Sequence, residues 1–152
     1  MKISTKGRYA LRIMIDVAQN AGGAPVRISE ISERLGISLK YTEQIANLLT
    51  KGGLLCSTRG AQGGYELVRT PREYSVREIL TCTEGELAPV ACAKENFPCE
   101  RSSSCGTRAL WAGLFTLTSA YFDAVTLSDL LDPAFTPERA YASLKIPQRN
   151  PL

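Results

Sequence analysis

Histidine is absent from the 152 residues, and with it go the usual general base near neutral pH and the commonest metal ligand. Catalysis of the Ser-His and Cys-His kinds is excluded, and a metal would have to be held by cysteine or carboxylate. No apolar run approaches the roughly 18 residues that span a bilayer. The N-terminus, Met1-Lys2-Ile3-Ser4-Thr5-Lys6-Gly7-Arg8, carries charge where a signal peptide has its apolar stretch. A soluble cytoplasmic protein with no membrane partner is therefore expected. The length suits one domain with a modest appendage and disfavours a two-domain enzyme. Apolar residues at 44% and charged residues at 22% are ordinary globular usage, so a packed core follows.

The net charge of +3 is unevenly placed. Residues 1–80 carry 12 Lys and Arg against 7 Asp and Glu, whereas residues 81–152 carry 6 against 8. The basic half points to a polyanionic partner and the other half to a different task. Cysteine is the second uneven resource: Cys56, Cys82, Cys92, Cys99 and Cys105, with the last three crowded together. In a reducing cytosol stable disulfides are disfavoured, so metal binding or redox sensing leads.

Ser4 or Thr5 caps a first helix over about 6–21, with Leu11, Met14, Val17 and Ala18 at helical spacing before Gly22-Gly23. Ser29 caps a two-turn helix that Gly36 stops, and Ser38 caps a longer one from Leu39 to Lys51. Short helix, tight turn and longer helix make a helix-turn-helix. Leu54 to Thr58 and Tyr65 to Val68 read as two strands around the loop Arg59-Gly60-Ala61-Gln62-Gly63-Gly64, a wing. Thr70 to Glu73, Ser75 to Glu78 and Thr126 to Asp129 have capping-box spacing; the second opens a helix over about 76–83. Residues 84–105 lack helical periodicity, and residues 106–125 are apolar on more faces than one small domain can cover. The expected fold is mainly α: a winged helix-turn-helix over 1–80 with a β-hairpin wing, then a cysteine loop and long C-terminal dimerisation helix over 81–131. A Pro-rich mobile tail over 132–152, with a possible turn of helix after Thr136-Pro137, completes the chain.

The second helix of such a motif enters the DNA major groove with its polar side. Ile45, Leu48 and Leu49 suit the inward side, and Ser38, Lys40, Tyr41, Glu43 and Gln44 the outward one. Gln bonds bidentately to adenine, Glu accepts from cytosine N4, and Lys or Ser serves phosphate or base. Arg59, at the wing tip among glycines, suits a narrow minor groove. The three crowded cysteines, Cys92-x6-Cys99-x5-Cys105, supply thiolates that suit an iron–sulfur cluster or zinc, and a thiol redox switch is the metal-free alternative. Cys56 in the wing strand and Cys82 at a helix end are expected to be small buried residues.

Three segments, Ser4 to Ala10, Ile31 to Gln44 and Arg59 to Tyr65, together with Thr126-Leu127-Ser128-Asp129-Leu130-Leu131, resemble the Rrf2 family of bacterial transcription regulators over about residues 1–131. The resemblance is strongest to the family's iron–sulfur cluster regulators. It implies a homodimeric, sequence-specific regulator of double-stranded operator DNA, not an enzyme, that binds a [2Fe–2S] cluster through Cys92, Cys99 and Cys105. The relatives that it most resembles place a histidine three residues after the third cysteine, where this chain has Arg108. A guanidinium has no lone pair to donate. Others take a carboxylate from the partner's first helix, where this chain has Arg8. Glu84, Glu86, Glu95, Glu100, Cys82 and a non-protein group remain candidates for the fourth ligand. A nitric-oxide sensor, a cluster-free regulator of sulfur metabolism and a small iron–sulfur redox protein are the competing readings.

Overall fold

The computed structural model describes residues 2–60, 62–94, 97–142 and 144. Ser4 starts the first helix, α1 (Thr5–Asn20), by accepting from the Lys6 and Gly7 amides. The buried positions Ala10, Ile13, Met14 and Val17 follow the 3.6-residue period and form its inward face. The next helix, α2 (Ile28–Leu35), begins two residues before the expected one. Arg27 is its N-cap without a side-chain bond, and Ser29 lies inside the first turn rather than capping it. The cause lies in the preceding residue: Val26 is bridged to Tyr65 by two backbone hydrogen bonds of 2.8 and 2.9 Å, so extended chain ends there. Gly36 in the left-handed region (φ 64°) closes α2 by the expected glycine cap. Ser38 accepts from the Tyr41 amide to open α3 (Leu39–Lys51).

The wing is an antiparallel pair, β1 (Leu55–Thr58) and β2 (Gly64–Leu67), with Cys56 opposite Glu66 and Ser57 opposite Tyr65. Gly64 is required where β2 meets the body. A Cβ there would lie 2.5 Å from the Val26 carbonyl oxygen. Alternation also corrects an expectation. Leu55 faces the core, so its neighbour Cys56 turns to solvent and is exposed rather than buried. Among the described residues its thiol reaches only the Glu66 carbonyl, at 3.7 Å.

A 3-10 turn (Pro71–Glu73) with the expected Thr70–Glu73 capping box leads to α4 (Val76–Glu84), capped by Ser75. Another 3-10 turn (Ala91–Ala93) lies in the otherwise irregular cysteine segment, before α5 (Arg108–Ala124) and α6 (Leu127–Leu131). Thr126 and Asp129 form the expected box on α6. The turn of helix expected after Thr136-Pro137 is α7 (Pro137–Ala142), whose Ala140 is buried beside Val76, Leu80, Leu87 and Val125. Residues 145–152 of the Pro-rich tail lie outside the described residues. None of the 17 residues of α5 is buried.

Two polar devices lock the core. The Asp16 carboxylate, 6% exposed, accepts two 2.7 Å hydrogen bonds from the Arg34 fork and so fixes α1 to α2. Tyr74 is fully buried, and its hydroxyl accepts from the Arg69 amide at 2.6 Å while donating to the Leu54 carbonyl at 3.1 Å. Tyr74→Phe keeps the ring and orphans the Arg69 amide, so a loss of about 1–3 kcal/mol is expected. Thermal denaturation checks it, at roughly 2–4 °C for each kcal/mol in a chain of this size.

Candidate nucleic-acid interface and cysteine segment

Period and packing together orient α3. Thr42, Ile45, Ala46 and Leu49 are buried against α1 and α2, which leaves Lys40, Glu43 and Gln44 exposed on the opposite side. Ser38 is exposed, but its hydroxyl is engaged at the helix start. Tyr41 lies on the flank of this face, half-buried, with its ring edge-to-face on Tyr9 of α1 at 6.0 Å between centroids. Leu48, expected inward, is half-buried. Asn47 is a residue that the sequence reading missed. It is exposed and lies three and four positions beyond Gln44 and Glu43, on the same face. That spacing was visible in the sequence, and an Asn amide pairs with adenine as a Gln does.

Arg59 stands exposed where β1 enters the wing tip, beside Gly60 with φ 112°. Ala61 of that tip lies outside the described residues. Between wing and α2 is a cavity of about 390 Å³, lined in part by Arg27, Ser29, Ser57, Thr58 and Arg59. Burial raises the pKa of the Tyr65 phenol, and the nearby Glu43 carboxylate adds to the rise.

The cysteine segment is held mainly by short-range bonds. Ala93 donates to Val90, Ser102 to Cys99, Ser104 to Arg101 and Arg108 to Cys105, all through backbone groups. Leu87 is its buried anchor, and Lys94 lies 3.8 Å from Glu86. Cys92, Cys99 and Cys105 are half-buried free thiols. Among the described residues, no three cysteine or carboxylate side chains stand close enough to hold a metal. The donors fit an iron–sulfur group by type, being soft thiolates, and their placement does not yet form a site.

The candidates for a fourth ligand are differently occupied. Glu84 serves α1: its carboxylate accepts from the Ser4 hydroxyl and from the Gly7 amide at 2.9 Å. An anion there also meets the positive end of the α1 dipole. Gly7 is needed for that approach, since a Cβ would lie 2.6 Å from Glu84 Oε1. Glu86 faces Lys94, Glu100 is exposed, and Glu95 lies outside the described residues. Cys82 is half-buried rather than fully buried, under Gly52, where a Cβ would collide with its sulfur. Arg108 folds back to donate to the Ser102 carbonyl at 3.2 Å.

The thiols differ in acidity. Hydrogen bonding to Thr107 lowers the Cys105 pKa, with Arg101 adding to it, whereas burial raises that of Cys82 and Glu78 reinforces the rise. Because the thiolate is the nucleophile, alkylation of metal-free protein by iodoacetamide should reach half its maximal rate at lower pH for Cys105 than for Cys82. Peptide mass spectrometry across pH measures both, and a reversed order would contradict these environments.

The family model for Rrf2, described as an iron-dependent transcriptional regulator, matches residues 3–133. The protein rrf2 of Nitratidesulfovibrio vulgaris is 36% identical over 141 residues, covering 92% of this chain and 94% of that one. The HTH-type transcriptional regulator IscR of Aliivibrio salmonicida is 39% identical over 132 residues, covering 86% and 77%. Among solved structures, CymR (YrzC), the global cysteine regulator of B. subtilis, superposes with a TM-score of 0.72 at 35% identity, over 86% of this chain and 96% of that one. A winged helix-turn-helix with these relatives over nearly all its length is a transcription regulator, and the chain belongs to the Rrf2 family.

Proposed function

We propose that this regulator binds double-stranded operator DNA as a cytoplasmic homodimer, with α3 in the major groove and the Arg59 wing at the adjoining minor groove. The observation that carries this is the exposed polar face of Lys40, Glu43, Gln44 and Asn47 on a helix whose other side is buried in the core. Gln44 and Asn47 supply amides for adenine, Glu43 an acceptor for cytosine N4, and Ser38, Tyr41 and Lys40 groups for the flanking backbone. Cys92, Cys99 and Cys105 would hold a [2Fe–2S] cluster, which supplies a redox-active and labile group when bound. Support comes from thiolate softness and from the IscR relatives. A metal-free thiol switch is a second reading, favoured by the lowered pKa of Cys105.

Fluorescence anisotropy on a duplex selected from a random pool tests the DNA assignment. Gln44→Ala should cost about 1–3 kcal/mol at one base position. Arg59→Ala should weaken the preference for A·T-rich flanks with a narrow minor groove. Wild-type affinity for both variants across a panel of base changes would overturn the groove assignments. Iron and sulfide analysis of anaerobically purified protein separates cluster from thiol switch.

A further inference from the structure

On α1, Tyr9 and Arg12 are three residues apart and so neighbours on the helix surface, with Arg8 one turn before Arg12 on the adjoining side. Tyr9 meets Tyr41 of α3 edge-to-face at 6.0 Å, and the Arg12 guanidinium lies 5.1 Å from the Tyr9 ring centroid. Both rings are half-buried and pack on the main core, so the chain Arg12–Tyr9–Tyr41 is anchored at its inner side. Both arginines are exposed.

Their charge is not spent within the protein. Arg34, Arg69, Arg77 and Arg139 each meet a carboxylate at 2.6 to 2.8 Å. Among the described residues, Arg12 meets none, and Arg8 has only the Thr5 hydroxyl at 3.0 Å. Two acids of the α1 neighbourhood are engaged: Asp16, one turn beyond Arg12, by Arg34, and Glu84, at the start of α1, by Ser4 and Gly7. Neither the Tyr9 nor the Tyr41 hydroxyl has a hydrogen-bond partner among the described residues. A guanidinium stacked on an aromatic ring is held in place while keeping its donors for a planar anion.

We propose that Arg12, with the Tyr9 and Tyr41 hydroxyls, forms a DNA-backbone site on α1 that takes a phosphate flanking the base pairs read by α3. The site rests on the placement of α3 in the major groove. Its role is positional: a phosphate clamp beside the first turn of the reading helix fixes how α3 enters the groove and carries no base information. Arg12 is thus a binding residue outside the helix-turn-helix and the wing.

The test compares wild type with Arg12→Ala, Arg12→Lys and Arg139→Ala, each titrated by anisotropy on the selected duplex and on a random-sequence duplex at several salt concentrations. Removing one phosphate contact makes the log-log salt slope shallower by about 0.9 per bound protomer. Between about 50 and 200 mM salt, wild type should therefore lose roughly 3.5-fold more affinity per protomer than Arg12→Ala. The loss should be equal on both duplexes, Arg12→Lys should keep most of the slope, and Arg139→Ala should match wild type. Arg12→Gln gives the same reading should the alanine variant fold poorly, which a thermal melt reveals. A wild-type slope in Arg12→Ala, the same change in Arg139→Ala, or a loss confined to one base position would overturn the site while leaving the regulator reading intact. A wild-type protein with no salt-dependent binding to any duplex would overturn that reading itself.

Discussion

Replacing Cys92, Cys99 or Cys105 by alanine, one at a time, is expected to leave the anaerobically purified protein without iron and without visible absorption, while Cys56→Ala keeps both. With no histidine in the chain, cysteine thiolates are the principal soft donors it offers, so each of the three carries a large share of any iron site. The alternatives are poorly supplied. Glu84 is committed to the start of α1, Arg108 donates to Ser102, and Cys82 is half-buried with its thiol pushed toward the protonated form. Cys56 is exposed on β1 of the wing and belongs to a different element. The three thiols stand apart among the described residues, yet the segment that bears them is tied largely by bonds between residues three apart, which rearrange at little expense. If iron status sets DNA binding, the three variants and iron-free wild type should share one affinity that differs from that of the iron-loaded protein, since a ligand without differential affinity shifts no equilibrium. Wild-type iron content in the variants, or equal DNA affinity of iron-loaded and iron-free protein, would refute this.

The helices and wing were legible because their signals are local. Ser38, Gly36, the Thr70–Glu73 box and the Thr126–Asp129 box cap as their spacing predicts. Ser29 misled because a long-range event, the Val26–Tyr65 bridge, decides where extended chain stops. Cys56 misled for a related reason. A hydrophobic-looking strand residue is buried only if something covers its face, and a two-stranded wing has the body on one side. The outer face of α3 could be read from period alone and still lost Asn47, which the same spacing includes. The engagement of Glu84 with α1 joins residues 77 to 80 positions apart, and no local pattern announces such a pair.

Leu110→Glu with Leu114→Glu should convert the protein to a monomer and weaken operator binding by about 10²–10⁴-fold, the range lost when two linked binding events become independent. The argument begins with the exposure of Leu110, Leu114 and Leu117, at 62%, 40% and 42%. They are spaced four and three residues apart and so form one ridge along α5. The helix is the longest in the chain, has no buried residue of its own, and carries no charge on that ridge to keep it solvated. Burying a leucine is worth about 1.5–3 kcal/mol, and in a two-fold pair every residue contributes twice. Glutamates placed there would face their symmetry mates, so like charges would be forced together where apolar surface is lost. The substituted positions are exposed in the single chain, and the core of 1–80 does not touch them, so folding should survive and circular dichroism can verify it. A two-fold pair also explains why one polar helix face suffices for specific recognition, because two copies reach successive major grooves about 34–36 Å apart. Sedimentation velocity at micromolar protein, followed by anisotropy on the selected duplex and on a half-site, measures both effects. A variant that still sediments as a dimer with wild-type affinity, or a wild type that is monomeric with or without iron, would remove the dimer from the mechanism.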